Sequence, residues 1–412
     1  MNSRERILTS INHKEPDKVP LDLGSTPSSN ISAIAYNNLK KYLGINTGHT
    51  RIYDVVQQLA QPEDDIIQRF GVDVLDIGRA FNILDTDWYD VKLCDGSIAQ
   101  YPSWFKPVET KEGFNAYDED GDRIAFMPKG GAFFDQTYFP YIDGYPEDYK
   151  DIKKAMSKVL WQKLASSPWD NANKPDFFKT LREKAIYLRN TTDKAIMIGA
   201  GCNLFEWGTF LRRIDNFLMD LILEPKEVEN LLDKLMEIHL EGLAKICEAV
   251  GDVVDIVRFG DDLGTNEGPF MAPEIYRKMF KPRHAVLCDY VHKHSKMKTY
   301  LHSCGSIRKL LPDLIEAGFE VINPVQTTAR GMDPVELKKE FGKDITFWGA
   351  GCNTRWILNK ATEQEVYDYT THILEILMPG GGYVFNTEHN IMPEVPPQNI
   401  VAMYKAVHDF KM

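Results

Sequence analysis

From residue 195 onward the chain alternates short apolar runs with longer stretches whose apolar residues recur every three to four positions. Runs of strand character fall at 195–201, 253–259, 299–302, 320–323, 345–348 and 383–386. Helical spacing fills the gaps, at 225–250, 273–293, 307–317, 334–341 and 362–377, and a last helix spans 397–410. Upstream, 18–24 and 72–78 read as two more strands, and helical spacing covers 3–12, 31–44, 51–69, 147–163 and 175–189. Eight strands, the later ones each followed by a helix, predict an α/β fold of the (β/α)8 TIM-barrel type. A doubly wound sheet usually has fewer strands, and no G-x-G-x-x-G joins a strand to a helix.

The pattern breaks between the second and third strands. Residues 87–138 are rich in aromatics, Gly and Asp, with turn signals at 94–97 and 118–122. The expectation is one barrel domain over 1–412 with a β-hairpin insertion at about 80–145. The acidic run 118–122 lacks the spaced ligands and distal Glu of a calcium loop, so it reads as a hairpin turn.

Composition narrows the function. A net charge of −12, from 60 acidic and 48 basic residues without a basic run, argues against nucleic acid as a partner. No apolar stretch approaches a membrane span, and residues 1–20 lack the apolar core of a secretory signal, so the expected location is the cytoplasm. The six cysteines follow no disulfide framework and are read as thiols or metal ligands. Cys247 and Cys288 fall in helical patterns, Cys94 in a hairpin and Cys202 just past a strand; Cys352 is left open.

In a TIM barrel the chemistry gathers at the C-terminal ends of the strands. Here those ends carry Asp22, Asp76, Cys202, Asn203, Glu206, the Asp261-Asp262 pair, His302, Cys304, Asn323, Gln326, Trp348, Cys352, Asn386, Glu388 and His389. His302 and Cys304 stand two apart at the end of an apolar run, so extended backbone aims both the same way. Imidazole and thiolate are zinc ligands, and a third must come from elsewhere. His389 is the expected third ligand and the adjacent Glu388 its rival, with Cys352 left out so that a fourth position stays open. Asp261, Glu388 and Glu206 are the candidate catalytic acids, and Asn323, Gln326 and Trp348 the candidate cofactor-binding positions.

Several segments together resemble the uroporphyrinogen decarboxylase superfamily, in its branch of cobalamin-dependent methyltransferases. They are Ser3-Arg4-Glu5-Arg6-Ile7, residues 13–20, residues 260–269, His302-x-Cys304-Gly305, Asn323-Pro324-Val325-Gln326, Phe347-Trp348-Gly349 and residues 382–391. The resemblance covers nearly the whole chain and implies a TIM barrel. It implies zinc held by an H-x-C pair and a distant Cys, a position that His389 takes here. With one sulfur instead of two, the zinc would favour activating a methyl donor over a thiol acceptor. The segment 21–29 lacks the arginines with which true decarboxylases hold substrate carboxylates.

The expected function is zinc-dependent transfer of a methyl group from a small methylated compound, an O-methyl aromatic first among them, to the cobalt of a corrinoid. The chain has no D-x-H-x-x-G motif, so the corrinoid would arrive on a separate protein. Alternatives are transfer from methyl-corrinoid to an acceptor, a metal-free decarboxylase, and a silent barrel that docks a corrinoid protein. A homodimer is kept as one assembly of the chain.

Overall fold

The computed structural model describes residues 1–411. Its centre is a curled parallel sheet of seven strands: Val74–Asp76, Ala195–Gly201, Ile256–Gly260, Lys298–His302, Val321–Asn323, Thr346–Trp348 and Tyr383–Val384, in that order. The two edge strands are joined through a single residue. Leu21 pairs in parallel with Phe385. Phe385 N–H donates to the Pro20 carbonyl and Asp22 N–H to the Phe385 carbonyl, each at 2.8 Å. On the other side Asp73 N–H donates to the Leu21 carbonyl at 2.8 Å. The Asp73 carboxylate accepts the Leu21 N–H at 3.0 Å, so a side chain stands in for the missing backbone partner. The barrel is thus an eight-stranded (β/α)8 ring whose first strand is reduced to one bridge.

Pairing sets which residues face inward. In the fourth strand Ile256 belongs to the interior cluster with Val74, Ala195, Met197, Tyr300, Val321, Trp348 and Val384. Val257 and Phe259 instead join the large core between sheet and helices. Strand alternation therefore sends residues 256, 258 and 260 inward. The lower mouth is plugged by the helix Ser3–Ile11, whose Ile7 and Ile11 complete the interior cluster. Asn2 and Glu5 start this helix with a reciprocal capping box.

Between the second and third barrel strands lie a two-stranded antiparallel sheet, Trp88–Lys92 with Ile98–Pro102, and a four-stranded one built from Val108–Glu109 to Asp135–Gln136. They bury a cluster of their own around Tyr101, Phe105, Ile124 and Phe134, which also takes in Ile52, Val55 and Val56.

Most helices and strands lie within a few residues of their expected limits, and Pro225–Val250 and Pro334–Phe341 coincide with theirs. Residues 51–69 do not form one helix. Ile52–Asp54 and Leu59–Ala60 are antiparallel strands, and only Asp64–Phe70 is helical. The apolar residues at 52, 55, 56 and 59 keep helical spacing and are all buried, but Asp54 turns the chain first. Its Oδ1 accepts the N–H groups of Val56 and Gln57, both at 3.0 Å. The helices Phe205–Arg212 and Ile214–Leu223 fall in a stretch with no assigned element.

Asp73 holds the lower seam on two sides, since its other oxygen pairs with the buried Arg6 guanidinium at 2.5 Å. Asp73→Ala strips Arg6 Nη1 of its buried partner, leaving the guanidinium to Asp17 alone, and removes the acceptor for Leu21. The expected loss is about 1–3 kcal/mol, read as a lower urea midpoint.

Candidate functional site

The fifth strand ends at His302, in register with Gly260 on one side and Asn323 on the other. The chain then turns so that Cys304 Sγ lies 3.5 Å from His302 Nε2. His389, just past the eighth strand, approaches from across the mouth. One donor atom each from His302, Cys304 and His389 lie within 4.8 Å of one another.

The surroundings fix His302 in one tautomer. Its Nδ1–H donates to Asn323 Oδ1 at 2.7 Å, an oxygen that also accepts from Ser28 Oγ at 2.7 Å. The Asn323 amide is itself set, because its Nδ2 donates to the Trp348 carbonyl at 2.9 Å. The Nε2 lone pair is left facing Cys304. Tetrahedral bonds of about 2.1 Å to nitrogen and 2.3 Å to sulfur put the two donors about 3.6 Å apart, close to the observed spacing. Two imidazoles, one thiol and an oriented ligand tautomer fit zinc with one position open. The thiol must lose its proton to bind, since burial, with Asp262 and Glu206 beside it, raises the Cys304 pKa well above its ordinary value. Burial lowers the pKa of His302, which favours the neutral ring.

Of the acidic pair, Asp262 faces the cluster. Its Oδ1 accepts the Cys304 N–H at 2.8 Å and lies 3.5 Å from His302 Nε2. Asp261 does not meet the expectation of a catalytic acid. It is fully buried, and its two oxygens accept the N–H groups of Phe205 and Glu206, at 3.1 and 2.9 Å, capping that helix. The capped helix presents Glu206 to the cavity, where Asn203 Nδ2 donates to it at 2.5 Å. Burial first, then the charges of Asp262 and Asp261, hold the Glu206 pKa well above its ordinary value.

Glu388 is turned away from the two imidazoles. Its Oε1 accepts from Thr327 Oγ1, Thr328 Oγ1 and Thr328 N–H at 3.0, 3.0 and 2.8 Å, which pins the 327–328 loop. Neither Glu388 nor the fully buried Cys352 joins the donor cluster. Among the positions expected to touch a cofactor, Trp348 is fully buried in the barrel, with Nε1 donating to Asp22 Oδ2 at 2.9 Å. Gln326 accepts the Gly305 N–H at 3.0 Å, and Asn323 orients His302, so all three brace the site from behind.

The cluster opens on a cavity of roughly 520 Å³. Its walls include Trp161, Trp169, Trp207, Phe178 and Phe210, and its polar lining Ser28, Asp54, Asn203, Glu206, His239, Arg258, Asp262, His302 and His389. The sequence reading passed over Ser28, His239 and Arg258. Arg258 alone had a visible signal, a cation within an otherwise apolar strand at 256–260.

Two outcomes are expected. Asn323→Ala frees the His302 ring and lowers zinc affinity about 10–100-fold, measured by competition with a chromophoric chelator. For Glu206, the folded state holds its proton to higher pH than the unfolded chain does. Its contribution is therefore full below the unfolded carboxylate pKa and declines as pH rises toward the folded one. Glu206→Gln removes that decline, so thermal melts at pH 5 and pH 8 should show the variant gaining on wild type at pH 8.

No curated protein matches the sequence. Among solved structures, a methyltransferase from Methanosarcina mazei aligns over 100% of this chain and 99% of its own, with a TM-score of 0.59 and 17% identity, which shows a shared fold. A hyperthermophilic beta-glucosidase from Pyrococcus furiosus aligns over 95% of each chain, but at a TM-score of 0.37 and 9% identity the likeness carries no weight. Residues 166–410, well over half of the chain, match the uroporphyrinogen decarboxylase (URO-D) family. That span starts ahead of the helix Phe177–Thr191, which leads into the third barrel strand, and runs through His302, Cys304 and His389 to the last helix, and the chain belongs to the uroporphyrinogen decarboxylase family.

Proposed function

We propose that the protein is a methyltransferase of a corrinoid system, taking a methyl group from a small O-methylated aromatic and passing it to the cobalt of a corrinoid on a separate protein. The observation that carries this reading is the His302, Cys304 and His389 cluster at the edge of an aromatic-walled cavity holding Glu206 and Asp262. Zinc held by the three residues would supply Lewis acidity to the ether oxygen of the donor. The chain's own groups do the rest. Trp161, Trp169, Trp207 and Phe210 offer faces on which a planar ring stacks. Trp169 is fastened by its Nε1–H to the Gly199 carbonyl at 2.7 Å.

In the transfer the methyl C–O bond breaks, its electron pair stays on oxygen, and the methyl carbon takes an electron pair from reduced cobalt. The oxygen then needs a proton. Glu206, whose burial beside Asp262 and Asp261 favours its protonated form, donates it. Asn323 and Ser28 keep the His302 tautomer constant through the cycle.

The test has two arms. Zinc content should fall in His302→Ala, Cys304→Ala and His389→Ala and persist in Glu388→Ala and Cys352→Ala, each with retained circular dichroism. Zinc affinity should also rise with pH, because Cys304 must lose a proton to bind. Methylation of reduced cobalamin should be detected by its absorbance change over a panel of methoxyarenes. Glu206→Gln should slow it about 100-fold or more while zinc stays bound. Full zinc loading in His389→Ala, or no methylation from any panel member, would sink the reading.

A further inference from the structure

The floor of the cavity carries a guanidinium with no hydrogen-bonded partner. Arg258 lies in the middle of the fourth strand and points into the barrel. Among the described residues it forms no hydrogen bond and no ion pair. Asp54 and Asp76 feel its charge, but their oxygens are engaged elsewhere. Asp54 accepts from Val56 and Gln57. Asp76 accepts the Gly78 N–H. Burial raises the pKa of Asp76 to about 7, which thins the negative charge around the guanidinium. A half-buried guanidinium has five N–H donors and cannot shed its proton, so leaving it unpaired is costly.

The local backbone makes room for this group. Gly199 is the register partner of Arg258 on the third strand. A Cβ at Gly199 would sit 2.9 Å from Arg258 Nη2 and 3.6 Å from Cζ, so the guanidinium lies sideways over the glycine, at its own level. Trp169 is tied to the same glycine's carbonyl. The guanidinium therefore shares the cavity floor with an aromatic wall. The metal cluster stands higher, because Gly260, two residues beyond Arg258, pairs with His302. Two residues of strand are about 6.6 Å, room for a single substituted ring.

We infer that Arg258 is the anchor for a carboxylate on the methyl donor, so that the substrate is a methoxylated aromatic acid, bound acid-down with its methoxy group toward His302, Cys304 and His389. The inference rests on the methyl-transfer reading of the site. A planar guanidinium meets a carboxylate through two parallel N–H···O bonds, which fixes orientation as well as affinity. The anchor would hold the ring so that only a methoxy group at the far side reaches the cluster.

The test compares 3-methoxybenzoate with 3-methoxybenzamide, its neutral counterpart, by calorimetry on the full-length protein as purified and by the cobalamin assay. Wild type should bind the acid about 10–100-fold more tightly. Arg258→Met should abolish that preference, weakening the acid far more than the amide. Gly199→Ala, whose Cβ displaces the guanidinium without altering it, should do the same. Arg258→Lys should keep part of the preference. If Arg258→Met fails to fold, the wild-type ratio together with Gly199→Ala and Arg258→Lys decides. No acid preference in wild type, or a preference that survives both Arg258→Met and Gly199→Ala, overturns the inference. Acid binding that depends on Arg258, without methyl delivery to cobalamin, upholds the anchor and removes the methyl-transfer reading. Methyl delivery from amide and acid alike, indifferent to Arg258, does the reverse.

Discussion

The side-chain amide of Asn323 is the joint on which the upper mouth of the barrel depends. Its nitrogen is tied to the seventh strand through the Trp348 carbonyl. Its oxygen receives His302 from the fifth strand and Ser28 from the segment after the first. One fully buried group thereby fixes two positions on neighbouring strands and the lip of the cavity. Parallel pairing delivers it to the right level, since Asn323 and His302 are register partners. Buried amides that satisfy donor and acceptor together are costly to displace, so the joint is stiff. The direction of the His302 lone pair is a consequence of that stiffness, and the spacing to Cys304 follows from it.

A second constraint works through charge. Asp261 and Asp262 are adjacent yet divided in duty. One caps the helix that carries Glu206, and the other holds the Cys304 amide. The first therefore positions the acid and the second positions the thiol, while both charges press the Glu206 proton to stay. Alternation along the extended chain accounts for the division, because neighbours in a strand-like segment face opposite ways.

The ring of strands was legible because each inward run is short, apolar and followed by a helix with clear spacing, as at 195–201 and 225–250. His302, Cys304 and His389 were legible because chemistry-bearing side chains at strand ends have few other reasons to be there. What stayed hidden was non-local. The helix from Phe205 takes its cap from Asp261, 56 positions away for Phe205, so no local start signal marks it. Gly208 gives way to the ring of Phe217, whose atoms would lie 2.1 Å from a Cβ, a contact that spacing cannot announce. Asp261 and Glu388 look like rim acids in the sequence. Only their partners, two helix amides and a pair of threonines, show them to be fasteners.

The single-residue bridge at Leu21 bears on how the ring breathes. A ring of pairings is as firm as its thinnest link, and local opening begins where the fewest backbone bonds must be broken. That link joins the first strand to the eighth, whose far end leads to His389. The other two donors stand at the end of the fifth strand, on the opposite wall. An ion gripped by all three would tie the loosest wall to a firm one, as a clasp closes a bracelet. Amide exchange along 383–391 would then slow when the ion binds, and the ring would gain rigidity at the place where its backbone supplies least.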